Sequence, residues 1–361
     1  MALVLNGTTG ITNLPSINSG QIGGSRNKII NGAMEINQRG TAAVNTDQAF
    51  PSDRFKTSES GGGNMTCQVV ADAPANFRNS IKVIASTADD CTAAADEYRI
   101  YQRIEGNNIV DLYYGASGAK TTTLSFWVKS SLTGVFPVGL ENNAANRTHV
   151  KQYTISQANT WEKKSVTFVG DETGTWLITN GTGLVVNFVL GAGTNYTGTI
   201  DSWQGSRLYR GSSSVQMMAT VNATWFVTGV QLEVSSTATD FEYKSIGDEL
   251  ALCQRYLYKS QGTHAFTAHG LSSVFAVNQT DFITRYPVSM RAIPTMSKSG
   301  TIYGATGNRG EAITGFSDVG GSTTTSFIRI TLAASDFTIG ECLTINNVND
   351  AAAFIQFEAE L

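Results

Sequence analysis

Positive charge is scarce in this chain: 25 Lys and Arg stand against 29 Asp and Glu, a net charge of −4. Such a balance leaves no basic surplus to neutralise a nucleic-acid backbone or an anionic bilayer. Nucleic acid and membrane insertion therefore drop out as expectations. Charged residues of either sign make up 15%, well below the roughly 25% of an average soluble protein. Because hydrophobic residues reach 41%, the low charge does not signal disorder, which needs low hydrophobicity or high charge. Cysteine is also sparse. Cys67, Cys91, Cys253 and Cys342 lie far apart without a CxxC pair, which suits neither a zinc site nor a disulfide framework; they read as thiols of a chain made in a reducing cytoplasm. Three histidines, His149, His264 and His269, leave little material for metal or acid–base chemistry. The interval between the last two places them on opposite faces of an extended strand. No stretch of about 18 apolar residues occurs, and the amino terminus has no Lys or Arg ahead of its short apolar run, so it reads as no secretory signal.

What is present is a period of two. Leu124, Phe126 and Val128 alternate with Ser125, Trp127 and Lys129, and Val166 and Phe168 alternate with Thr167 and Val169, the pattern of half-buried strands. Residues 176–179 and 184–190 flank Asn180 to Gly183, whose glycines favour a hairpin turn, and residues 224–234 form another strand. Many short strands joined by Gly, Ser and Thr turns predict a mainly β fold: an antiparallel jelly-roll β-sandwich over 27–244. All five tryptophans fall within it. Ser245 and Asp248 then make a capping box, and Ile246, Leu250, Cys253 and Leu257 recur at helical spacing. A linking helix is expected over 245–261, followed by a second, smaller β-sandwich over 262–361, with Ile355, Phe357, Ala359 and Leu361 alternating against Gln356, Glu358 and Glu360. No internal repeat supports a solenoid.

Few motifs carry chemistry. Gly115 to Thr121 has the wrong glycine-to-lysine spacing for a phosphate loop and precedes a strand instead of a helix. Asp89, Asp90, Asp96 and Glu97 form an acidic loop, read as solvated, with a calcium site as the alternative. No pair of acids stands out for glycoside hydrolysis. The chain is therefore expected to be no enzyme and to hold no cofactor. Tryptophans at strand edges are divided between packing and sugar stacking.

Three groups of residues resemble the tail-fibre and related virion proteins of tailed bacteriophages. They are residues 2–11; residues 27–34, 38–41 and 52–55 with 124–130, 228–233 and 238–242; and residues 249–256 with 287–294 and 357–361. The middle region is also similar to carbohydrate-binding modules. The resemblance implies a virion (tail) protein assembled in the host cytoplasm, a homotrimer attached to another tail or adaptor protein through an extended amino-terminal anchor over 1–26, with Leu3, Leu5, Ile11 and Leu14 as the anchoring side chains. It also implies host attachment through surface carbohydrate; the alternative is a head or tail decoration or adaptor protein without host ligand. The stripe Ile246, Leu250, Cys253 and Leu257 is expected to form the trimer seam. Polar Gly-rich loops at 303–309 and 318–325, far along the chain from the anchor, supply the candidate glycan contacts Tyr303, Asn308 and Arg309.

Overall fold

A computed structural model describes residues 25–262, 264–334 and 336–361. Leu3, Leu5, Ile11 and Leu14, expected as anchoring side chains, lie outside the described residues. The chain divides into two units, Met1–Lys244 and Ser245–Leu361. The first contains β1 (Phe55–Ser60), β2 (Asn64–Val70), β3 (Ser80–Thr87), β4 (Glu97–Glu105), β5 (Thr122–Ser130), β6 (Gly134–Asn142), β7 (Thr148–Ile155), β8 (Glu162–Phe168), β9 (Thr182–Ala192), β10 (Trp203–Gln204) and β11 (Thr224–Val234). They form two antiparallel sheets, ordered β1-β4-β9-β6-β7-β10 and β2-β3-β11-β5-β8. Alternate residues of both sheets face inward and build one apolar core, among them Phe126, Val128, Phe136, Val186, Phe188 and Trp225. The fold is a β-sandwich, as the period-two alternation requires.

Side chains between strands close this sandwich. Strand β11 bulges between Thr228 and Gln231, where Gly229 adopts a φ of +61°, and the segment from Asn27 to Gly32 lies alongside the bulge. Asn27 Nδ2 donates to Val230 O at 3.1 Å, while its Oδ1 accepts from the Ile29 and Leu232 amides at 2.9 and 3.1 Å. A Cβ on Gly32 would sit 2.2 Å from Val230 O, so only glycine permits the approach. Glu242 receives the Arg26 and Asn27 amides. The buried Glu233 accepts from Gln231, from the Thr239 amide and from the Thr239 hydroxyl. Further along, Asn31 bonds both the amide and the carbonyl of Ile36 and donates to Ser52 Oγ.

The second unit contains α1 (Ile246–Gln254) and the strands β12 (Leu257–Gln261), β13 (Ala268–Ala276), β14 (Gln279–Arg285), β15 (Thr295–Ser299), β16 (Ile302–Thr306), β17 (Arg309–Asp318), β18 (Thr325–Leu332), β19 (Cys342–Asn347) and β20 (Phe354–Glu358). It is β-structured, but six strands close into a barrel, β13-β14-β18-β17-β16-β19, beside a three-stranded sheet β12-β20-β15, where two facing sheets were expected. Closure removes the free edges that two small sheets would leave, and Ile302, Ile328, Ile330, Leu343 and Ile345 of the barrel share one apolar core with Ile355 and Phe357 of the adjoining sheet.

Three local expectations are corrected. Residues 176–179 are not a strand; their neighbours bond the turn after β4, with Asn107 N donating to Thr179 O and Gly106 N to Gly181 O. The helix begins as expected, Ser245 Oγ accepting from the Asp248 amide at 3.2 Å. It ends at Gln254 because Leu257 already pairs with Glu358 in a strand ladder. Leu257 therefore belongs to no helical stripe. Cys253 and Leu257 are buried within the chain, and of the expected seam only Ile246 is exposed, with Leu250 half-covered.

Replacing Asn27 by Ala strands two amides and one carbonyl and is expected to lower unfolding stability by about 2–3 kcal/mol in urea titration, whereas Asn308→Ala, at an exposed turn, changes it by less than about 0.5 kcal/mol. His149 supplies a second check. It is buried against the rings of Phe168 and Trp203, and burial pushes its pKa from 6.5 down to about 4. The folded state thus resists a proton that the unfolded chain takes up. Stability is full above about pH 6.5 and falls as the pH drops towards 4, by about 3 kcal/mol at most. His149→Phe should flatten that slope in denaturant melts across the same range.

Candidate functional site

The β16–β17 hairpin turns through Gly307, at a φ of +53°, and Asn308. Register places Ala305 opposite Thr344 and Tyr303 opposite Asn346, while Ala268 of β13 faces Asn346 from the other side. Ile302, Gly304, Leu343 and Ile345 point into the barrel, so by strand alternation Tyr303, Ala305, Thr344 and Asn346 lie on its outer wall. There Ala305, Thr344 and Asn346 help to line an open depression of about 320 Å³, together with Phe266, Ala268, Thr306 and Gly307. Phe266 is 63% exposed. Asn346 Nδ2 donates to Asn347 O, and its Oδ1 is buried without a hydrogen-bond partner. An aromatic face and two threonine hydroxyls, with no charged lining residue, suit a neutral ligand rich in hydroxyl groups.

The structure thus brings the expected hairpin to this site, but through its neighbouring residues. Tyr303 shares the outer face without lining the depression, and Asn308 is exposed at the turn tip. Arg309 is held elsewhere: it pairs with Glu341, donates to Asp336 O and lies over the Phe337 ring. The 318–325 loop satisfies its own polar groups, Ser322 Oγ accepting from the Thr324 and Thr325 amides and Asp318 from Gly320. Phe266 was missed because it stands in a short irregular segment where no periodicity marks it.

On the outer face of the six-stranded sheet, a buried ionic cluster has a structural character. Arg99 pairs with Glu97 at 2.6 Å, and Arg207 with Glu141 at 2.9 Å. Asn187 joins the two pairs, accepting from Arg99 and donating to Glu141. The Arg99 guanidinium lies 4.4 Å from the centre of the Tyr101 ring and 4.9 Å from that of Tyr209. Two cations balance two anions, as burial of charge demands.

The acidic loop is likewise tied to its own backbone. Asp89 accepts from the Gly62 and Cys91 amides and the Tyr98 hydroxyl, and Asp96 from the Ala93 amide. Among the described residues, no group of three or more His, Cys, Asp or Glu could hold a metal ion. The tryptophans mostly pack: Trp225 and Trp176 are buried, and Trp203 meets Trp176, Tyr114 and His149 edge-on. Trp161 bonds Asp72 and packs on Phe226 at the outer face of the five-stranded sheet. No helix among the described residues is long and apolar enough to cross a membrane.

No protein-family model matches the chain, and no curated protein matches it in sequence. Among solved structures, it is similar to the enzymatically active domain of tailspike protein 4 from bacteriophage CBA120, at 12% identity and a TM-score of 0.31, over 58% of this chain and 21% of that one. It is also similar to a family 4 carbohydrate-binding module, at 15% identity and a TM-score of 0.29, over 56% of this chain and 97% of the module. A third is the family 11 module of Clostridium thermocellum in complex with a β-1,3-1,4-mixed-linked tetrasaccharide, at 10% identity and a TM-score of 0.29, over 55% of this chain and 99% of that one. This chain thus spans about a fifth of the tailspike's length, and at these identities no ligand or activity passes from any of the three to it.

Proposed function

We propose that the chain is a phage tail fibre that attaches to the particle through residues 1–26 and contacts host-surface glycan with its second unit, without cutting the glycosidic chain. The observation that carries the glycan contact is the depression of Phe266, Thr306, Thr344 and Asn346. Its ring offers a stacking face, while its neutral polar groups match sugar hydroxyls. No carboxylate lines it, so the acid pair that glycosidic hydrolysis uses is missing from this site. The ordered pieces that resemble virion proteins support the particle assignment. Under this reading the protein is a homotrimer, and its three copies raise a weak single-site affinity through effective concentration.

A decoration or adaptor role is the second reading, and one feature favours it. Leu271 and Ile283 on the outer barrel wall are 64% and 66% exposed, an apolar pair that a protein neighbour would cover better than a sugar.

Purified protein should adsorb to host cells and not to glycan-stripped ones. Phe266→Ala should weaken adsorption about tenfold with the fold intact by circular dichroism. Adsorption to stripped cells as strong as to native ones contradicts the glycan contact. No adsorption to either supports the decoration role, and release of reducing sugar contradicts binding without cleavage.

A further inference from the structure

The second unit contains a hydrogen-bonded row of serine, histidine and asparagine that glycan binding does not use. Ser260 Oγ on β12 lies 2.9 Å from His269 Nδ1 on β13, and His269 Nε2 lies 2.6 Å from Asn347 Oδ1 on β19. The position of each proton follows from Asn347. Its Nδ2 donates to Ala353 O at 3.2 Å, which turns Oδ1 to the ring. An amide oxygen only accepts, so Nε2 carries the hydrogen, and in a neutral imidazole Nδ1 is then the acceptor. Ser260 Oγ–H is the donor to it. Burial lowers the pKa of His269 below 6.5, against the opposing effect of the Asn347 bond, so the ring is neutral and able to take a proton at neutral pH.

Strand geometry aims this histidine. The ladder of β13 with β19 pairs Ala268 with Asn346 and Gly270 with Ile345, which leaves His269 as the extra residue of a β-bulge. Bulges redirect a side chain from the face that alternation would give it. Gly270 permits the bulge at a φ of +154°, and a Cβ there would lie 2.8 Å from the Phe282 ring. Ser260 and His269 are partly exposed, whereas Asn347 is fully buried, the order expected of a nucleophile, its base and the group that orients the base. Ala268 and Asn346, the chain neighbours of His269 and Asn347, line the depression.

We propose that Ser260 is a nucleophile towards esters, with His269 as its general base and Asn347 as the positioning residue, and that the substrate class is an O-acyl group on a sugar hydroxyl. The sugar as acyl carrier rests on the glycan reading; the reactivity of Ser260 does not. Ser260 Oγ attacks the ester carbonyl carbon while His269 Nδ1 takes the hydroxyl proton. The bond from the acyl carbon to the sugar oxygen breaks, and Nδ1–H delivers its proton to that oxygen, releasing the free sugar hydroxyl. Water then attacks the acyl-serine, giving one proton to Nδ1 and releasing the carboxylic acid as Oγ recovers its hydrogen. The glycosidic chain stays intact.

The test treats the full-length protein with p-nitrophenyl acetate and, separately, with a fluorophosphonate probe, locating the adduct by mass spectrometry. The expected result is one phosphonyl adduct, on Ser260, and ester hydrolysis that Ser260→Ala abolishes without altering the melting temperature. His269→Ala should slow labelling on the order of 100-fold. Asn347→Asp keeps an acceptor for Nε2 and should retain labelling that Asn347→Leu loses; if the Leu variant fails to fold, the Ser260 and His269 variants decide. No adduct on Ser260, or equal hydrolysis by Ser260→Ala, overturns the proposal. Adsorption read on the same samples separates the two readings: lost adsorption with Ser260 still labelled removes the glycan contact alone, and retained adsorption without labelling removes the nucleophile alone.

Discussion

The sandwich depends on how the bulge of β11 is satisfied. This strand is central in its sheet, between β3 and β5; its ladder with β5 shifts register at the bulge, and its ladder with β3 ends at Val227. Unpaired backbone groups inside a core cost about 1–3 kcal/mol each, so a bulge there needs partners. Asn27 supplies them with one side chain, and Val230 N and Lys28 N complete the contact by donating to Gly32 O and Leu232 O. Chain positions some 200 residues apart are thereby joined without a regular strand. Glu233 and Glu242, which receive the adjoining amides and hydroxyl, extend the same arrangement.

That network joins residues of 27–34, 52–55, 228–233 and 238–242, which are scattered in the sequence. They converge where backbone irregularity must be compensated by particular side chains. Alternation along β5, β8, β11 and β20 was legible from residue order alone, because a strand with one face in a core exposes its period. The hairpin at 180–183 was not, since its glycines serve a close approach: a Cβ on Gly183 would lie 2.6 Å from Gly106 Cα. Leu257 kept helical spacing with Cys253 by coincidence of burial, and tertiary pairing with β20 overrode it.

The candidate sites were legible in part for a related reason. Composition pointed to the 303–309 hairpin, but which of its residues face the depression is set by barrel register, which couples β16 to β19 and β13. Ser260, His269 and Asn347 are far apart in sequence and carry no motif. Spacing alone placed His264 and His269 on opposite strand faces, whereas His264 lies before β13 begins and His269 occupies a bulge that alternation does not foresee. A chain with three histidines gave no reason to single out one of them. Only closure of the barrel and the adjoining sheet sets the imidazole between a hydroxyl and an amide.

The outer wall of the second unit is the surface proposed to bind sugar. The most direct measurement is the crystal structure of the full chain soaked with an oligosaccharide prepared from the host surface. The expected density shows a pyranose ring against Phe266 with its hydroxyls within hydrogen-bond reach of Thr306 and Thr344. A sugar seated on the sandwich instead, with the depression empty, would contradict the claim.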